Sequence, residues 1–333
     1  MNPNFTKPST SKRKAIALSQ ETLVKESFLR TGDTLPLLLE PAVQGLSLSM
    51  WAADNSDFIF EKLRSNGGIL FRGFEVGTVD EFEIFLQSLL GDLFNYSYRS
   101  TPRTQVSGQI YTSTEYPEHQ TIQLHNEMSY SRQWPMVVGF CCLVAPSHGG
   151  ETPIADSRKV FNAIGSGVRD RFIEKGVMYV RNYGDALDLS WRDVFQTSDR
   201  LEVESYCREA GIEFEWKGQN ELQTRQVCQA VATHPYNGAN VWFNQAHLFH
   251  VSSLEPEIRE SLLMSTSELP RNAYYGDGST IEEDALEEIR RAYAEETIVF
   301  PWKTNDVMVL DNMLTAHGRK PYKGPRRIVV GMG

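Results

Sequence analysis

Residues 106–155 read "VSGQIYTSTEYPEHQTIQLHNEMSYSRQWPMVVGFCCLVAPSHGGETPIA". The β-rich runs "VSGQIYTST", "TIQLHNEMSY", "MVVGFCCLV" and "ETPIA" follow one another closely, broken by Pro and Gly. A parallel strand pair needs a crossover of roughly a dozen residues or more, usually a helix. None fits between these runs, so the spacing predicts an antiparallel sheet rather than a βαβ array.

His125 and Glu127 alternate along the second run. Residues two apart on a strand face the same side of a sheet, here the side that a barrel interior would occupy. Such a pair is either a solvated strand pattern or two arms of a metal site, and only a third donor from elsewhere decides between them. The other histidines are His119, His148, His234, His247, His250 and His317. His317 closes the strand "DVMVLDNMLTAH" before the turn "GRKPYKG", where it can point into the same barrel mouth from another strand.

Two neutral imidazoles and one carboxylate leave three adjacent positions open, an arrangement suited to non-haem Fe(II). Zinc hydrolysis uses similar ligands, so the triad alone leaves both chemistries open. Arg327, ten residues past His317 and across the turn, can clamp a remote carboxylate with two parallel hydrogen bonds. Thr152 follows the Gly149–Gly150 pair and offers a hydroxyl. Together they would hold a dicarboxylate whose 2-oxo-acid end chelates iron. The glycine pair is no phosphate loop, because no helix with Lys-Ser/Thr follows it.

Upstream, "DNSDFIFEKLRSNGGILFRGF" predicts a helix, a double-glycine stop and a short strand at 69–71. In "TVDEFEIFLQSLLGDLF", Val79, Phe82, Phe85, Leu86, Leu89 and Leu90 share one helical face, ended by Gly91. Downstream, helix is expected at 157–175, 191–210, 221–231, 255–263 and 281–294. Strands are expected at "GVMYVRNY", "TIVFPW", "DVMVLDNMLTAHGRK" and "RRIVVGM", and "ANVWFNQAHLFHV" is expected as a strand leading into a loop. The expected fold is mixed α/β. A β-sandwich or barrel forms from the central and C-terminal strands, helices pack outside, and a helical insert at about 185–295 serves as lid or substrate wall. Residues 1–20, basic and polar without a long apolar run, read as a flexible lead-in rather than a signal peptide. Residues 21–333 then form one domain.

The chain of 333 residues is 41% hydrophobic, enough for a substantial core. Its net charge of -10 argues against a general nucleic-acid or anionic-membrane binder. It leaves room for an acidic small substrate, which needs only a local arginine. Cys141, Cys142, Cys207 and Cys228 show no zinc spacing and are expected as reduced thiols of a cytoplasmic protein. No window approaches the roughly 20 apolar residues of a membrane span.

"LHNE", "GGETPIADS" and "DNMLTAHGRKPYKGPRRIVV" resemble the taurine/2,4-D dioxygenase (TauD/TfdA) superfamily of Fe(II)/2-oxoglutarate enzymes, from about residue 66 onward. The resemblance implies a double-stranded β-helix (jelly-roll) core and Fe(II) held by His125, Glu127 and His317. It also implies O2 as oxidant and 2-oxoglutarate with its far carboxylate on Arg327. Thr152 matches a family threonine that touches 2-oxoglutarate. Two departures matter. The usual H-x-D is H-x-E here, and that glutamate disfavours the related halogenases, which keep a small residue at this position for chloride. The arginine that binds sulfonate in taurine dioxygenases would fall at Gly331, which speaks against taurine.

"YTSTEYP", "LHNEMSYSRQWP" and "THPYNGANVWFNQAHLFH" further resemble a SyrP-like subgroup associated with non-ribosomal peptide synthesis. That implies hydroxylation of an amino acid, free or tethered as an aminoacyl group to a peptidyl carrier protein. Desaturation or ring formation is the sister outcome, and a metal hydrolase or a non-catalytic binding module the alternative from another class. Arg103, Glu115, Arg181 and Asn244 are candidate substrate contacts, with Tyr116 beside Glu115 and Gln245 beside Asn244.

Overall fold

The structure, a computed structural model, describes residues 23–94, 98, 103–113, 116–184, 189–218, 220–265 and 268–333. The expected lead-in at 1–20 lies outside them. Eight strands form one large sheet in the order Val24–Phe28, Leu37–Pro41, Gly68–Phe71, Val307–Asp311, Val137–Val144, Arg327–Met332, Ile110–Thr112, Gln105–Ser107. Every pair is antiparallel except Leu37–Pro41 against Gly68–Phe71. A smaller antiparallel sheet sets Thr315–Arg319 between Ile122–His125 and Ile154–Asp156. The chain leaves the large sheet at Asp311, crosses the small one, pairs Tyr322–Lys323 with His148–Gly149, and returns at Arg327. This alternation between two sheets is a jelly roll, as expected.

Strand alternation sorts the large sheet into two faces. Val138, Phe140 and Cys142 join Met308, Leu310, Ile328, Val330 and Met332 in the inner core. Val137, Cys141, Val307, Val309 and Val329 face outward onto Phe82, Phe85 and Leu86 of the helix Val79–Leu90. Each such side chain contributes about 1.5–3 kcal/mol by leaving water. The helix starts at a capping box, with Thr78 Oγ1 accepting from Glu81 N–H and the Glu81 carboxylate from Thr78 N–H. Gly139 and Gly331 pair across neighbouring strands directly under it. A Cβ on Gly331 would meet Leu86 Cδ1 at 2.5 Å, and one on Gly139 would meet Leu86 Cδ2 at 2.7 Å, so both glycines let the helix seat closely.

The region expected as a helical insert is mixed α/β. Its centre is an antiparallel sheet in the order Glu213–Lys217, Glu221–Cys228, Val177–Tyr183, Arg271–Tyr275. The helices Trp191–Phe195, Arg200–Ala210, Ala246–Phe249, Pro256–Ser265 and Glu283–Glu295 surround it. Residues 221–231, expected as helix, instead give the strand Glu221–Cys228, whose side chains largely alternate between exposed and buried. Glu and Gln favour helix only weakly, and pairing along both edges of this strand overrides that preference. "TIVFPW" also differs: it makes only a bridge between Ile298 and Ile154, and Pro301 lacks the donor that a ladder needs.

Candidate metal centre and anion cavity

His125 and His317 face each other as direct cross-strand partners in the small sheet, their ring centroids 4.7 Å apart. Glu127 sits two residues past the end of its strand, in a turn rather than on the pleat. Buried side-chain amides grip the backbone of this turn. Asn312 Oδ1 accepts from Glu127 N–H at 2.7 Å, and Asn312 Nδ2 donates to Glu127 O at 2.9 Å and Pro135 O at 2.8 Å. Asn126, pointing the other way, donates to Asn312 O and Ser157 Oγ. Gln245 Nε2 and Ser129 Oγ both donate to Asn126 O. Met128 is held at φ 56°, a left-handed conformation that is costly for a side chain of this kind and needs such a framework.

Donor atoms of His125, Glu127 and His317 all lie within 4.8 Å of one another, the one such cluster among the described residues. His125 Nδ1 lies 2.8 Å from Gln123 O, which places the proton there and leaves Nε2 with its lone pair. Burial lowers the pKa of both imidazoles, that of His317 further, with the charges of His125 and Arg103 adding to it. Both shifts favour the neutral form that metal ligation requires. His317 Nε2 is 3.8 Å from Glu127 Oε2, while its buried Nδ1 has no partner among the described residues. The donor set fits a divalent transition metal.

The cluster opens onto a cavity whose lining includes His125, His317 and Phe140. Among the described residues its lining also includes Arg103, Arg319 and Arg326 and no acidic side chain, so this wall favours an anion. Arg326 donates from Nε to Gly150 O at 3.0 Å and from Nη1 to Ser113 Oγ at 3.1 Å. Burial, and then the neighbouring Arg319 charge, push its pKa down to about 10. Arg319 donates to the carbonyls of Tyr116, Pro117 and Gln120, and both guanidiniums lie over the Tyr322 ring. Thr152 lines the cavity, and Trp302 Nε1 donates to its Oγ1 at 3.0 Å. The threonine keeps its own O–H for a ligand.

Of the two neighbouring arginines, the structure brings the one before Arg327 to the cavity. Arg327 is exposed and opposes Val144, whereas Arg326 reaches the cavity. The physical reason is the pleat: Ile328, Val330 and Met332 face inward and Val329 outward, so the inward series leads back to Arg326. Among the candidate substrate contacts, Arg103 lines the cavity. Arg181 is buried outside the lining, its guanidinium 4.9 Å from the Tyr183 ring centre. Asn244 is spent on backbone, donating to Ala230 O and accepting from Ala246 N–H, and does not line the cavity either. Glu115 lies outside the described residues. His247 donates to Leu124 O and stacks on Tyr293. His250 accepts from Ser252 N–H.

The family model described as "Taurine catabolism dioxygenase TauD, TfdA family" matches residues 33–332. The chain belongs to this family. Among its relatives, the dapdiamide synthesis protein DdaC of Enterobacter agglomerans is 40% identical over 276 residues, 82% of this chain and 84% of that one. A clavaminate synthase-like protein of Arabidopsis thaliana is 30% identical over 281 residues, covering 81% and 82%. Among solved structures, PvcB of Pseudomonas aeruginosa superposes with a TM-score of 0.56 at 16% identity, covering 95% of this chain and 93% of that one. At that identity the likeness speaks for the fold. The TauD/TfdA chain described here is an Fe(II)/2-oxoglutarate-dependent dioxygenase. None of its helices among the described residues is long and apolar enough to cross a membrane.

Proposed function

We propose that this dioxygenase hydroxylates an unactivated C–H bond of an amino acid, free or carried as an aminoacyl thioester on a peptidyl carrier protein, within a secondary-metabolite pathway. The observation that carries the site assignment is the cavity itself: three metal donors at one end and three guanidiniums in its lining. Iron, held by His125, Glu127 and His317, supplies the coupling of 2-oxoglutarate decarboxylation, to succinate and CO2, with transfer of one oxygen of O2 to the substrate. The chain's own residues position the reactants. Arg326, aimed by Gly150 O and Ser113 Oγ, takes the far carboxylate of 2-oxoglutarate through charge-assisted bonds. Thr152, its acceptor side occupied by Trp302, donates to the near end. Phe140, against the His317 ring at 5.0 Å, helps to keep that wall of the cavity apolar and dry.

One name supports a biosynthetic role: the 40% identical DdaC is a dapdiamide synthesis protein. The substrate differs from taurine. With Arg326 as the clamp, the sulfonate-binding position of taurine dioxygenases moves from Gly331 to Val330, and neither residue carries a charge. Anaerobic addition of Fe(II) and 2-oxoglutarate tests the cofactor assignment, because the chelate gives a visible charge-transfer band; folded protein without the band would overturn it. Succinate release and a mass gain of one oxygen are expected with an amino acid, free or carrier-loaded. Failure with both sets across the common amino acids would sink the substrate class.

A further inference from the structure

We infer that Arg103 is a positioning residue for the metal-ligating carboxylate: it holds one oxygen of Glu127, so that the longer side chain meets the metal in a single pose. The inference rests on the reading of Glu127 as a ligand. Arg103 Nη2 lies 2.7 Å from Glu127 Oε2, and each side chain is only 3% exposed. In this buried setting a guanidinium–carboxylate bond is short, directional and costly to break from one side.

Glutamate needs such a hold more than aspartate would. It has one more rotatable bond, and fixing a rotamer costs entropy. Here it also stands in a turn rather than on the pleat, and its backbone, not its side chain, is what Asn312 grips. Among the described residues, Arg103 makes the one hydrogen bond found for the Glu127 carboxylate. The arginine lines the cavity beside His125 and His317. Holding one oxygen there restrains Glu127 from closing on the metal with both and taking a position that the co-substrate needs.

Two opposite effects of removing Arg103 make the inference testable. If its charge merely repels the cation, loss of the guanidinium tightens metal binding. If it positions the ligand, loss weakens binding by about 10–100-fold, the usual cost of removing a group that orients a metal ligand. Mn(II) titration followed by EPR, without substrate or turnover, reads the difference for Arg103→Met and Arg103→Lys. Weaker binding in Arg103→Met, partial recovery in Arg103→Lys and a shifted Fe(II)/2-oxoglutarate band in both are expected. Equal or tighter binding with an unchanged band in Arg103→Met overturns the inference. Should the variants not fold, a crystal structure of the Mn(II)-loaded wild-type chain decides. Glu127 bound through one oxygen and still paired with Arg103 supports the inference, and Glu127 chelating through both oxygens and parted from Arg103 overturns it. Wild-type protein that binds no Mn(II) would instead count against the metal site as a whole.

Discussion

The cavity's two ends are built by different means. At the metal end, the backbone around Glu127 is clamped by Asn312, Asn126, Gln245 and Ser129, and His125 is aimed by Gln123 O. At the anion end, Arg319 and Arg326 lie over one tyrosine ring, with no carboxylate among the described residues that line the cavity. Polar bonds finish the first end before any ligand arrives. The second carries positive charge that a dianion would neutralise. A substitution at the metal end should therefore damage stability and metal affinity together, whereas one at the anion end should damage ligand affinity with little loss of fold.

The largest effects fall on the donors. His125→Ala, Glu127→Ala and His317→Ala each remove a ligand rather than a group that orients one. The loss in Mn(II) affinity should exceed the about 10–100-fold typical of an orienting partner, and the charge-transfer band should vanish. A variant that kept the band would remove that residue from the ligand set. Next comes the arginine pair. Arg326→Ala should weaken 2-oxoglutarate by about 2–4 kcal/mol, or about 30- to 1,000-fold, while leaving Mn(II) affinity unchanged. Arg327→Ala, one residue along and exposed, should change neither. Reversal of the two phenotypes in isothermal titration would restore the clamp to Arg327.

That pair also shows how much of the molecule was legible in its sequence. Strand content and the helix Val79–Leu90 followed from periodicity and caps. Residue type marked His125, Glu127 and His317, which the structure brings together, although Glu127 stands in a turn and not on the strand from which its facing was read. The structure puts Arg326 rather than Arg327 in the cavity lining, which the sequence did not show because turn length is not encoded in strand alternation and the ladder shifts register between Arg327 and Ile328. A one-residue slip moves a side chain to the opposite face. The inward parity of Ile328, Val330 and Met332 is the signal that could have pointed to Arg326. Asn312 and Trp302 left no local signal, because their partners lie 185 and 150 residues away. Asn244 looked available on a strand end, yet its amide is used by Ala230 and Ala246.

Asn312 tests the coupling of stability to metal affinity most directly. Asn312→Ala strips partners from Glu127 N–H, Glu127 O and Pro135 O inside the protein. Each buried group left unpaired costs about 1–3 kcal/mol, and relaxation limits the sum to about 2–4 kcal/mol. Chemical denaturation should show that loss and Mn(II) titration a weaker site; a variant as stable as wild type would mean the network is dispensable. His247 extends the same end through pH. Burial first, then the charges of Arg290 and His125, push its pKa down to about 3, against its bond to Leu124 O. The unfolded chain therefore takes up a proton below about pH 6.5 that the folded chain refuses until about pH 3, so stability falls with pH across that window. Metal-free wild type should lose about 2 kcal/mol more than His247→Gln between pH 7 and pH 5. Equal losses would show that His247 titrates freely.

The smallest effect should come from Trp302→Phe, which probes the anion end by one hydrogen bond. The indole N–H occupies an acceptor position on Thr152 Oγ1 at 3.0 Å, so the threonine hydrogen is left to face the cavity. Without the indole donor the hydroxyl can rotate, and part of its bond to the 2-oxoglutarate carboxylate is lost. A neutral hydrogen bond of this kind contributes about 1 kcal/mol, so 2-oxoglutarate affinity should fall by about 5-fold. Mn(II) affinity and the denaturation midpoint should stay close to wild type, because neither donor ligands nor turn amides are touched. The double variant Thr152→Val/Trp302→Phe should bind 2-oxoglutarate no more weakly than Thr152→Val alone, since the indole acts only through that hydroxyl. Additive losses in that cycle would mean that Trp302 shapes the cavity by packing against it rather than by orienting Thr152.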